Sequence, residues 1–188
     1  PDYSQEAAFG NLRTTLSSLR ESVDDRSANP PLLLINRSTV QFNRAADAQA
    51  DIWDFQDGGP VDLYRGSFLH GFSLPDSAPY EEWLHRTRTR FSEQAQMRLA
   101  SLLDDAEACG DFSAALAWAR RRLELEPWRE EAHRQAMRAL ALLGQRAGAL
   151  VQYEICVRAL AEELAVEPEV ETRRLRDLIA AGRLDEIH

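Results

Sequence analysis

The side chains able to do chemistry are arginines, carboxylates and four histidines, and their spacing assembles no reaction centre. All 22 basic residues are Arg, which removes the phosphate-loop lysine, Schiff-base catalysis and the kinase-type lysine together. His70, His85, His133 and His188 are scattered, and no nucleophile elbow, zinc spacing or glycine-rich phosphate loop occurs. Glu81-Glu82, Asp104-Asp105, Glu130-Glu131 and Glu162-Glu163 are adjacent pairs. On a helix such neighbours diverge by about 100°, so they are expected to be solvated surface rather than paired acid and base. Cys109 and Cys156 form no C-x-x-C pair and are expected to be reduced packing residues. The expectation is no enzyme, no catalytic residue, no metal and no cofactor.

Recognition chemistry is better represented. Arg86, Arg88 and Arg90 fan through about 200° of helix, and Arg120, Arg121 and Arg122 precede Glu124 and Glu126, a pattern that favours ion pairing and partner binding over nucleic acid. Near the start, Asn11, Arg13, Thr14, Ser17 and Ser18, with Arg20 beyond, offer short polar groups and guanidinium groups that suit a DNA groove. A plain solvent-facing surface is the alternative for this stretch.

These groups must be carried by elements. Leu12, Leu16, Leu19 and Val23 recur at intervals of four, three and four, which predicts an amphipathic helix from Ala7 to about Val23. Asp24 to Pro31 stops it, and Leu32 to Phe42 predicts two short strands around Asn36 to Ser38, with Arg37 at the turn as a further DNA-contact candidate. A helix followed by a two-stranded wing is how winged helix-turn-helix domains end. Ala45 to Pro60 is acidic, with Trp53 and Phe55 its only large anchors, and reads as a linker or a poorly packed turn.

From Pro79 to Gly182 the pattern is helical, broken at Gly110-Asp111, Pro127, Gly144, Pro168 and Gly182. Helices are expected at Pro79 to Ala108, Phe112 to Glu126, Arg129 to Leu143, Arg146 to Leu164 and Glu169 to Ala181. Gly110 and Gly144 are 34 residues apart, and the same offset relates Ala115 to Ala149, Leu116 to Leu150, Ala119 to Tyr153 and Leu123 to Val157. That is the tetratricopeptide period, in which small residues let helices cross closely and stacked pairs share one core. The aromatic residues Trp83, Phe91, Phe112, Trp118, Trp128 and Tyr153 are expected to pack between helices. The fold class is thus mainly α: a tetratricopeptide-like helical-hairpin array preceded by a partial winged helix of one helix and a β-hairpin. The expected divisions are 1–45, a linker at 46–60, and 61–188.

Composition bounds these readings. The 188 residues are 44% hydrophobic and 28% charged, enough for one full core or two small ones. No run of eighteen apolar residues and no leading apolar block is present, so a cytoplasmic protein without membrane contact is expected. Opening on Pro1 rather than Met suggests part of a longer protein. The formal charge of −9 is shared by both halves, with five Arg against nine acids in 1–60 and 17 against 22 in 61–188, so any DNA contact must be local.

The run Val61-Asp62-Leu63-Tyr64-Arg65-Gly66-Ser67-Phe68-Leu69-His70-Gly71-Phe72, with Leu74-Pro75-Asp76-Ser77 and Glu81-Glu82-Trp83-Leu84, resembles the entry to the bacterial transcriptional activator domain. That repeat domain is found in regulators related to the Streptomyces antibiotic regulatory proteins. Gly110-Asp111-Phe112, Leu125-Glu126-Pro127, Arg129 to His133, Gln152-Tyr153-Glu154 and Glu162 to Pro168 continue the resemblance. Asn11 to Arg20 is similar to the recognition helix that precedes this domain, and Leu32 to Phe42 to its wing, which implies the end of an OmpR-like winged helix. The first two helices and leading strands of such a domain do not precede Asn11, and Phe55 to Val61 is shorter than the resemblance implies, since a helical segment commonly lies there.

The resemblance implies a transcriptional regulator fragment. Its implied partners are promoter DNA through the complete winged helix, and another protein, a domain of the same regulator or RNA polymerase, with a homodimer also possible. The array is expected to present a concave groove formed mainly by the first helix of each pair, with Arg98, Arg134 and Arg138 as its partner contacts. A helical-repeat scaffold that does not bind DNA is the alternative.

Overall fold

The computed structural model describes residues 5–186 and divides into two compact units, Pro1–Gly58 and Gly59–His188. In the first unit, α1 (Gln5–Ser22) is followed by an antiparallel hairpin of β1 (Leu33–Ile35) and β2 (Val40–Phe42), with Leu33 opposite Phe42 and Ile35 opposite Val40. The turn is fixed by Asn36, whose Oδ1 accepts from the Ser38 and Thr39 amides at 2.9 and 2.8 Å, an Asx turn of the kind Asn makes best. α2 (Asp51–Gln56) completes the unit.

The stretch read as a linker therefore contains a helix. Periodicity could not reveal it because six residues span under two turns. Its two anchors hold it: Phe55 is buried, and the Trp53 ring meets Phe42 edge-on at 4.7 Å.

The second unit opens with an irregular segment containing a single 3-10 turn at Val61–Leu63. Five helices follow: α3 (Ala78–Ala108), α4 (Phe112–Leu125), α5 (Glu130–Leu142), α6 (Arg146–Glu163) and α7 (Val170–Ala181). Each packs on the next, and α5 also meets α7, which is the contact order of stacked hairpins. Ala115 and Ala149, the fourth residues of α4 and α6, are both buried in a common core with Leu103, Met137, Leu140 and Ile179.

Terminal chemistry repeats with the same spacing. After α3 the Gly110 amide bonds Glu107 O and the Asp111 amide bonds Ala106 O; after α5 Gly144 and Gln145 bond Ala141 O and Leu140 O. Both glycines lie at positive φ, +72° and +75°, as a Schellman stop requires. Asp111 then starts α4 by accepting from the Ala114 amide at 2.9 Å.

Three packing expectations need correction. Cys156 is buried, but Cys109 caps α3 at the surface because the helix ends there in a tight turn. Trp83 is 44% exposed and Trp128 38% exposed: Trp83, in the first turns of α3, stacks on Phe68 and Tyr80 rather than on another helix, and Trp128 lies in the connection between α4 and α5. Phe91 and Tyr153 are buried.

Candidate functional site

In the first unit α1 carries two faces. Of the predicted stripe, Leu16 is half-buried, while Leu12, Leu19 and Val23 remain exposed, as do Leu34, Ile35, Val40 and Phe42 of the hairpin. Asn11, Arg13, Thr14 and Ser17 are exposed as well, and Arg37 sits exposed in the hairpin turn. Thr14 Oγ1 bonds back to Gly10 O, and Ser17 Oγ accepts from Arg26 Nη2 at 3.2 Å.

Arg20 is more constrained. Its Nε donates to Asp25 Oδ2 at 2.6 Å, while Asp25 Oδ1 accepts from the Leu33 amide at 2.8 Å. Asp25 is buried, and its pKa lies below the ordinary carboxylate value because the Leu33 amide first, and Arg20 after it, outweigh the cost of burial. No motif pointed to Asp25; the signal was a helix-stopping Asp pair directly after the stripe.

In the second unit several arginines serve as internal clamps. Arg98 Nη1 donates to Gly59 O at 3.1 Å, Arg121 Nη2 to Tyr64 O at 2.8 Å, and Arg88 to the carbonyls of Phe68, Leu69 and Phe72 at 2.8, 2.7 and 3.1 Å. The irregular entry segment is thus fastened to α3 and α4 by guanidinium groups, with Phe68 seated between Trp83 and Phe91 at 6.0 and 5.6 Å. Arg90 lies over the Phe91 ring at 4.9 Å.

Arg122, 2% exposed, joins three helices: Nε meets Gln96 Oε1 of α3 at 3.2 Å, Nη1 meets Gln135 Oε1 of α5 at 2.5 Å, and Nη2 pairs with Glu131 at 2.9 Å. His133 plays the same part between α5 and α6. Gln152 Nε2 can only donate to its Nδ1, at 2.7 Å, so the proton sits on Nε2 and is given to Pro127 O at 2.8 Å. Burial, the largest influence, lowers the His133 pKa and keeps the ring neutral.

The three candidate groove arginines are held differently from one another. Arg98 is committed to Gly59, and Arg134 bridges α5 to α7 through Glu169 at 2.8 Å and Thr172 at 3.0 Å. Arg138, half-buried on α5, makes no hydrogen bond or ion pair among the described residues. An open cleft of about 790 Å³ lies between the entry segment, α3 and the end of α4; Arg65, His85, Glu93, Glu124 and Trp128 line it. Among the described residues no group of three or more His, Cys, Asp or Glu is placed to hold a metal ion, and no helix is long and apolar enough to cross a membrane.

No curated protein matches the chain. The family model of the bacterial transcriptional activator domain matches residues 40–180, from β2 through α7, taking in the clamped entry segment and nearly the whole array. The chain therefore belongs to the bacterial transcriptional activator domain family, a family of transcription regulator domains rather than of enzymes.

Proposed function

We propose that the chain couples the end of a winged-helix DNA reader to a helical docking platform in a cytoplasmic transcription regulator. The observation that carries this reading is the two-sidedness of α1 beside its hairpin. One face holds Asn11, Arg13, Thr14 and Ser17; the other holds an apolar stripe that the described residues leave exposed, Leu12 at 49%. Continuous exposed apolar surface calls for a covering element, and the helices and strands that precede a recognition helix in a winged domain would supply one. Arg37 in the hairpin turn would reach the backbone or minor groove as wing residues do.

The array supplies the platform. Its first-of-pair helices α3 and α5 carry Arg98 and the pair Arg134 and Arg138, but Arg98 and Arg134 are used internally, so Arg138 is the residue left to set a partner's register. The partner is another domain of the same regulator, RNA polymerase or a second copy. In a gel-shift titration of the full-length regulator on its promoter, salt-sensitive binding should weaken in Arg13→Ala and in Arg20→Ala. Persistent non-binding would support the scaffold alternative, which the acid excess of both units favours.

A further inference from the structure

We infer that Asp25 is a positioning residue that sets the wing on α1, so that the DNA contact of Arg37 depends on a carboxylate that touches no DNA. The inference rests on the winged-helix reading above. Its basis is how α1 stops. Asp24 takes the left-handed conformation, φ 53°, where helices usually place Gly. The Asp24 amide bonds Glu21 O and the Asp25 amide bonds Arg20 O at 2.9 Å, the paired bonds of a Schellman stop. That turn folds Asp25 back beside Arg20, its carboxylate inward.

The two carboxylate oxygens then divide the work. Oδ2 takes Arg20 Nε, from the last turn of α1, and Oδ1 takes the amide of Leu33, the first residue of β1. One residue before, Leu32 O accepts from the Asn43 amide at 2.7 Å and closes the base of the hairpin. The side chain thus joins helix to wing at the wing's root. Since Asp25 is 1% exposed, tilting the wing would strip Oδ1 of the Leu33 amide and leave a buried, charged oxygen without its donor, a costly state. Asn at this position could still accept from Leu33, but its amide group would face the Arg20 N–H donor to donor.

The test is a mutant cycle in the full-length regulator, read as affinity for a duplex of its own promoter. In the parent, Arg37→Ala should weaken binding by about tenfold, the size of one good contact. In an Asp25→Asn background the same change should cost under about twofold, while Arg13→Ala keeps its full effect in both. Hydrogen exchange at the Leu33 amide should speed up in Asp25→Asn. An Arg37→Ala loss of equal size in both backgrounds overturns the inference but leaves the winged-helix reading intact. No effect of either Arg13→Ala or Arg37→Ala in the parent overturns both. Should Asp25→Asn unfold the unit, Arg20→Met removes the donor to Oδ2 and keeps a side chain of similar length, and the same cycle is read there.

Discussion

In the helical array Leu84, Leu99, Leu103, Met137 and Ile179 are sealed from solvent, whereas in the first unit Leu12, Leu19, Leu34 and Phe42 stay close to half exposed. The contrast extends to polar groups. Arg122 and His133 sit deep in the array, each bonded to groups on neighbouring helices, while in the first unit one buried carboxylate, Asp25, holds helix to hairpin. A stacked array closes its own core because every hairpin covers the last. One long helix, a six-residue helix and a hairpin of three-residue strands have too little surface to do so. Among the described residues the first unit thus leaves apolar surface open, and the second keeps its helices in fixed register.

Met137→Ala should destabilise the array by about 3 kcal/mol, since it opens a cavity among helices that cannot collapse; a denaturant titration checks it. Arg122→Ala should cost about 2 kcal/mol, because the buried side-chain oxygens of Gln96 and Gln135 lose the donor they share. Asp111→Ala should cost about 1 kcal/mol through loss of the α4 cap. Leu12→Ala should change stability by under about 0.5 kcal/mol, as expected of exposed surface; a large loss there would mean that α1 is already covered.

Two chemical probes refine the same comparison. The His133 pKa is lowered in the folded array from its ordinary 6.5, so the unfolded chain takes up a proton that the folded one resists. Stability is then complete above pH 6.5 and falls as pH drops below it; a series of melts across this range, with His133→Gln as the flat control, reads the effect. Burial, first, pushes the Cys156 thiol up to about 12, so iodoacetamide should label exposed Cys109 rapidly and Cys156 only after unfolding.

Much of the array was legible from residue spacing. The five helices after Pro79 appear within about two residues of their expected ends, because Gly110, Gly144 and Gly182 mark stops that depend only on local backbone conformation. The hairpin was equally local, fixed by Asn36. α2 was missed because its stability comes from Phe55 and Trp53 reaching partners elsewhere in the chain, a contact that short-range periodicity does not encode. The candidate site was less legible. Arg98, Arg134 and Arg138 look alike in sequence, yet only the packed helices set two of them to internal work and leave the third making no hydrogen bond or ion pair among the described residues.

Sequence alone thus determined where the chain turns and which face of each helix is apolar, since both follow from residue type over a few neighbours. Tertiary structure alone decided what each charged group does. An arginine's role depends on which carbonyl or carboxylate comes within about 3 Å, and for Arg88, Arg121 and Arg122 those partners lie from three to fifty-seven residues away.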